Sequence, residues 1–121
     1  MRRHFILAVS LLFVATAHAH GPVKGAHGGP QVDAGDYHVE LVANGTVLSV
    51  YLKDKDDKPV DAKDHKGIGI FVVAGKPQRI ELKTAGSNEL TGASAVSLPA
   101  SLKGTIQITA PGGQTVQAKF E

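Results

Sequence analysis

The sequence has 121 residues, with 13 lysine and arginine residues, 11 acidic residues and a formal net charge of +2 at pH 7. It contains no cysteine and one methionine, Met1, which excludes disulfides, thiolate nucleophiles and sulfur-rich Cu(I) sites. Arg2 and Arg3 belong to an amino-terminal leader, and without them 11 basic residues (13 minus 2) face 11 acidic ones. This balance gives no argument for binding nucleic acid or an anionic membrane.

Residues 1–19 have the pattern of a secretory signal peptide. A basic head at 1–4 precedes an apolar run at 5–14, and small residues follow up to Ala19. The run is shorter than the ~20 residues that a membrane span requires, so we expect no span after cleavage. We therefore expect export, and exclude the leader from the fold.

The cleavage position decides the chemistry of the new amino terminus. Cleavage after Ala19 would expose His20, whose α-amine and imidazole could chelate one metal ion together. Cleavage after Ala17 would instead place His20 third from a free amine, where it could wrap Cu(II) or Ni(II) in a square-planar nitrogen set. The alternative is that these histidines are only polar residues of a soluble arm.

Residues 20–35 are rich in glycine and predict a flexible arm that carries His20 and His27. The sandwich domain is expected at 36–121. Its first hairpin is predicted from alternating residues at 36–42 and 46–53, separated by the turn signal Asn44-Gly45.

The rest of the chain predicts further short strands at roughly ten-residue spacing. At 66–74, Ile68, Ile70 and Val72 share one face, and the glycines between them indicate a bulge or a close backbone approach. With a brief edge strand at 60–62, the remaining strands are expected at 78–83, 89–92, 103–110 and 115–120. About seven strands and no helix favour a single antiparallel Greek-key β-sandwich of immunoglobulin-like shape, with a small barrel as the alternative.

Four histidines remain after cleavage at Ala19, and they are the candidate metal ligands. His38 and Glu40 are two residues apart on a predicted strand and therefore share a face. An arm carrying His20 and His27 could fold back onto this face and raise the local concentration of ligands. A solvent-facing histidine beside a glutamate is the alternative. His65, next to an aspartate, is a further candidate, or a plain loop histidine.

A family resemblance rests on His27-Gly28-Gly29, on residues 36–42 and on residues 51–54 with 58–60. These segments resemble small periplasmic proteins of Gram-negative bacteria that are associated with heavy-metal efflux and resistance. They are also similar to the leading segment of periplasmic adaptor subunits of metal-exporting pumps. The resemblance implies a β-sandwich, a periplasmic location and a heavy-metal cation held by His27 and His38, with Glu40 as neighbour.

Enzyme motifs are absent: no serine lies in a G-x-S-x-G context, and there is no H-E-x-x-H or phosphate-binding glycine loop. We therefore expect a non-enzymatic binding protein for Cu(II) or Zn(II), or for Ni(II) or Co(II), acting as a carrier, buffer or accessory in metal efflux. The metal sites expected are His20, His27, His38, Glu40 and His65, and a pump adaptor or sensor would receive the ion. The alternative is a metal-free interaction module that binds a partner by strand addition.

Overall fold

The computed structural model describes residues 23–121, so the leader, the cleavage position and His20 lie outside the described part of the chain. This part contains nine strands: β1 (Val23–Lys24), β2 (Pro30–Ala34), β3 (Tyr37–Asn44), β4 (Val47–Lys53), β5 (Lys66–Val73), β6 (Lys76–Thr84), β7 (Glu89–Ala93), β8 (Gly104–Thr109) and β9 (Thr115–Phe120). From residue 23 onwards, no helix long and apolar enough to cross a membrane is present.

All strand pairs are antiparallel, and the strands follow the order β1-β2-β3-β4-β7-β6-β5-β8-β9 in one sheet. The sheet curls so that β2 approaches β9. Gly35, in the turn after β2, lies so close to β9 that a Cβ there would be 2.7 Å from Val116 Cγ1. The concave side encloses the hydrophobic core.

The prediction of an antiparallel all-β fold is confirmed, but the arrangement is not a seven-strand Greek-key sandwich. The nine residues of β6 explain the difference. They pair along most of their length with β5, and at Lys83 and Thr84 they also pair with β7. In a sandwich, β1–β4 with β7 and β5–β6 with β8–β9 would form two separate layers. Here β6 joins these two groups of strands edge to edge in one sheet.

A second difference concerns residues 23–34, where the sequence predicts an arm without regular structure. The structure forms β1 and β2 there, and β2 pairs with β3 from Gln31↔Glu40 to Ala34↔Tyr37. Ala34 is buried in the core, and Val32 packs against it. The glycines of this segment therefore serve tight turns between short strands.

The core is built from alternate residues of neighbouring strands, as half-buried strands require. Most of its fully buried side chains are aliphatic, with Phe71 the largest. They include Val39, Leu48, Val50, Leu52, Phe71, Ile80, Leu90, Ile106 and Ile108.

In strand β5, glycines occupy core-facing positions and aliphatic side chains occupy outward-facing positions, which is the reverse of the usual pattern. Gly67, Gly69 and Phe71 face the core, where a Cβ at Gly69 would come within 2.6 Å of the Phe71 ring. The glycines therefore make room for side chains, and neither the bulge nor the close backbone approach predicted for them occurs, since β5 pairs with β6 in an uninterrupted register. Ile70 and Val72 point outwards and are 52% and 59% exposed.

Gly104→Ala tests the tight contact between β8 and β5. A Cβ at this position would overlap the carbonyl oxygen of Ile70, so we expect the free energy of unfolding to fall by about 1–3 kcal/mol. Gly112→Ala is the control, because a Cβ there meets nothing within 4 Å, and its effect should stay within about 0.5 kcal/mol. Urea unfolding measures both, and equal effects would contradict the close approach.

Candidate metal-binding face

Glu40 occupies an outward-facing position of β3 and is nevertheless only 1% exposed. The turn between β1 and β2 folds over its side chain. Glu40 Oε2 accepts hydrogen bonds from the backbone N–H groups of His27 and Gly29, each at 2.9 Å. Glu40 Oε1 lies 3.0 Å from His27 Nδ1. The buried carboxyl group is thus held by three N–H donors, which offsets its loss of hydration.

The sequence of the turn fits this arrangement. The N–H of Gly25 donates to the carbonyl of Gly29 at 2.8 Å, and Gly28 adopts a φ of 82°, which favours glycine. A Cβ at Gly25 would overlap the Glu40 carboxyl group. The glycines therefore allow the backbone to approach the carboxylate closely.

The His27 ring is fixed on two sides. A carboxylate only accepts hydrogen bonds, so the proton shared with Glu40 resides on His27 Nδ1, and in the neutral ring Nε2 carries the lone pair. The ring stacks on Tyr51 with a centroid distance of 3.6 Å and an interplanar angle of 7°. The side chain remains 43% exposed. His27 thus offers an oriented and accessible nitrogen ligand.

His38 makes a similar pair with Asp33, its cross-strand neighbour on β2. Its Nδ1 lies 3.0 Å from Asp33 Oδ1, which again leaves Nε2 as the unprotonated nitrogen. The Gln31 amide nitrogen is 3.4 Å from the same Nδ1 and cannot also donate to it. Asp33 is 81% exposed, so this pair is held less firmly than the pair of His27 and Glu40.

Strand register places both histidine–carboxylate pairs on one outer face. One cross-strand row runs Gln31–Glu40–Tyr51–Glu89, and the adjacent row runs Asp33–His38–Lys53. We call this surface the His27/His38 face. Its carboxylates provide a negative environment for a cation, which the lysine of the second row partly opposes.

The pKa of the Tyr51 hydroxyl group reflects this negative environment. Burial raises its pKa above the ordinary value of 10.0, the negative charges of Glu89 and Glu40 raise it further, and a hydrogen bond with Ser49 opposes them. The phenol is therefore protonated at neutral pH, and Tyr51 supports the His27 ring as a neutral stacking partner.

His65 lies apart from this face. It is 6% exposed, its Nδ1 is 3.2 Å from the carbonyl oxygen of Lys63, and its Nε2 is 3.3 Å from the Tyr37 hydroxyl. Tyr37 belongs to the core-facing side of β3, opposite to His38. Both ring nitrogens of His65 therefore have hydrogen-bond partners inside the protein.

The described residues do not form a complete metal site. Within 23–121, no group of three or more histidine, cysteine, aspartate or glutamate side chains is placed to hold one ion. Of the residues expected as ligands, the structure brings His27, His38 and Glu40 to one face, separates His65 and does not describe His20. The carboxylate oxygens of Glu40 accept hydrogen bonds from His27 and from a second backbone N–H group, so they are already occupied.

Sequence reasoning missed three residues of this face: Gln31, Asp33 and Tyr51. Gln31 and Asp33 alternate with Val32 and Ala34, which is a strand pattern in the segment interpreted as an arm. Tyr51 lies in a predicted strand, but a stacking partner 24 positions away carries no signal in a single sequence.

No protein-family model, curated protein or solved structure matches this chain.

Glu40→Gln tests the anchoring of the turn. The amide would place a donor among three N–H donors, so we expect a loss of about 1–3 kcal/mol in the free energy of unfolding. Glu81→Gln is the matched control, because Glu81 is exposed on β6, and its effect should remain within about 0.5 kcal/mol. Denaturant unfolding and amide hydrogen exchange at Gly29 provide the two readouts. Unchanged exchange at Gly29 would contradict the anchoring role.

The Tyr51 environment predicts a late phenol titration. In the Tyr37→Phe protein, ultraviolet absorbance should show Tyr51 ionising above pH 10, because burial and two nearby carboxylates disfavour the phenolate. Glu89→Gln should move the midpoint downwards. A midpoint at or below 10 without that substitution would contradict the described surroundings of Tyr51.

Proposed function

We propose that this protein binds a divalent transition metal ion on the His27/His38 face and acts as a carrier, buffer or accessory in metal efflux or resistance. The single observation that carries the proposal is the hydrogen bond from His27 Nδ1 to the buried Glu40 carboxylate. Histidines that bind metals commonly donate the other ring N–H to a carboxylate, which fixes the tautomer and orients the ligand nitrogen. His27 has this arrangement, and so has His38 through Asp33.

The available ligands define the class of metal. Imidazole nitrogens without thiolates or thioethers suit borderline cations, so Cu(II) and Zn(II) are favoured and Ni(II) and Co(II) are compatible. Glu40 acts as the orienting group and not as a ligand, because its oxygens already accept three hydrogen bonds. The negative charges of Glu89 and Asp33 favour a cation at this face.

An incomplete set of ligands suits an exchangeable ion. The coordination positions left by His27 and His38 can be filled by water or by His20, which is three residues before Val23.

The setting of this activity is also a proposal. A signal peptide at 1–19 would deliver the protein to the periplasm of a Gram-negative cell, and a pump adaptor subunit or a sensor would accept the metal. The resemblance to small metal-resistance proteins supports this setting. The absence of sulfur ligands after residue 1 argues for a Cu(II) or Zn(II) carrier and against Cu(I) storage.

The metal-free alternative, strand addition, has one observation in its favour. In the described part of the chain, β9 is hydrogen-bonded only to β8 and thus has an unpaired side. The curling of the sheet brings β2 towards that side, as the contact between Gly35 and Val116 indicates. This partial cover makes β9 a poorer site for an added strand, so we favour metal binding.

The metal proposal predicts a specific optical response. The chain has no tryptophan, and Tyr51 stacks on the proposed ligand, so Cu(II) bound at His27 should quench tyrosine fluorescence. The protein should be purified after export, with its amino terminus determined by mass spectrometry. Calorimetry at pH 7.5 should show binding of Cu(II) and Zn(II), which weakens at pH 5 because protonated imidazole cannot bind metal.

Variants locate the site. His27→Ala should weaken Zn(II) binding at least tenfold, and Glu40→Gln should weaken it by about 10- to 100-fold through loss of the orienting carboxylate. Glu81→Gln should have no effect, and Tyr51→Phe should retain binding. The proposal is contradicted if the double variant His27→Ala/His38→Ala binds Cu(II) and Zn(II) as tightly as the unaltered protein.

A further inference from the structure

Although the total charge is near neutral, exposed basic side chains are concentrated on one part of the surface. On the outer side of the β5–β6 hairpin and β8–β9, exposed cations surround the apolar residues of β5. Arg79 is the cross-strand partner of Ile70, and Lys119 lies one strand further on, opposite Thr105, which itself pairs with Ile70. Lys103 accepts a hydrogen bond from Val72 N–H through its backbone carbonyl, at 3.3 Å.

The apolar centre of this region is unusually open for aliphatic side chains. Ile70 and Val72 are more than half exposed, and the neighbouring Pro77 is exposed as well. The hairpin then ends in a tight turn at Ala74 and Gly75, with φ angles of 50° and 77°, followed by exposed Lys76. We call Ile70, Val72 and Pro77 with Arg79, Lys103 and Lys119 the Ile70 patch.

We propose that the Ile70 patch docks this protein on the surface of an anionic phospholipid bilayer. An apolar centre enters the headgroup region, and surrounding lysine and arginine side chains meet the lipid phosphates. Two acidic side chains border the patch: Glu81 is two residues from Arg79 and pairs with Ile68, and Glu121 is two residues from Lys119. The three cations of the patch outnumber these carboxylates, so its net positive charge complements an anionic surface.

The position of the patch favours a lipid surface over a peptide. Strand β5 lies inside the sheet, and it is hydrogen-bonded to β6 on one side and to β8 on the other. Its backbone therefore cannot accept an added strand. The proposal is independent of the metal site, because the His27/His38 face is built on β2, β3 and β4.

Vesicle sedimentation in the presence of EDTA tests the proposal without interference from metal binding. The protein purified after export, with its amino terminus verified, should sediment with vesicles of 30% phosphatidylglycerol and 70% phosphatidylcholine. It should not sediment with pure phosphatidylcholine, and 0.5 M salt should release it. Each cation near such a surface contributes roughly fivefold to partitioning, so Arg79→Gln/Lys119→Gln should lower the partition coefficient roughly 25-fold.

Matched variants separate the patch from general charge and hydrophobicity. Ile70→Thr/Val72→Thr retains β-branched side chains and should reduce binding severalfold, whereas Val47→Thr, at another exposed valine, should not. Lys58→Gln/Lys63→Gln removes the same charge from exposed loop positions and should have little effect. The proposal is overturned if the protein ignores anionic vesicles, if the loop variant loses as much binding as the patch variant, or if only soluble poly-glutamate binds.

Discussion

The structure depends on a carboxylate that is buried on what should be the solvent side of a strand. Glu40 has an outward-facing position in β3, but it receives three N–H donors from the β1–β2 turn. Removing its hydration would be costly without these bonds, and the glycine-rich turn would lack an anchor without the carboxylate. Each part therefore requires the other. This mutual requirement explains why residues 23–34 belong to the sheet and do not form the flexible arm that the sequence predicts.

The same interaction gives His27 its chemical character. A histidine on a free arm would sample many orientations and both neutral tautomers, whereas here Glu40 and Tyr51 fix the ring and leave Nε2 accessible. His27 and His38 with their carboxylate partners lie on the β2–β3–β4 side of the sheet, and the Ile70 patch lies on the β5–β6–β8–β9 side. One curled sheet thereby presents two outer surfaces of different chemistry, with the core between them.

The fold class and most strand positions follow from sequence patterns, because alternation and turn signals are local. Residues 46–53 and 115–120 are examples, and the Asn44-Gly45 turn fixes the first predicted hairpin. The strand order is not local: it depends on β6 pairing with both β5 and β7, which alternation does not encode.

The shared face of His38 and Glu40 was predictable, because successive side chains of a strand alternate between its two faces. The burial of Glu40 was not, because it requires backbone donors from 11 and 13 positions earlier. In β5, Gly67 and Gly69 face inwards because Leu82 and Phe71 fill the space, which composition alone does not reveal.

The most direct test of this account is a long-range ¹H–¹⁵N correlation spectrum of the histidine rings, recorded at neutral pH without metal and then with Zn(II). We expect the neutral His27 ring to be the tautomer protonated at Nδ1, with an unprotonated Nε2 whose resonance shifts when Zn(II) is added. Glu40→Gln should introduce the second tautomer. A His27 ring protonated at Nε2 in the unaltered protein, or an Nε2 resonance unaffected by Zn(II), would contradict the central claim.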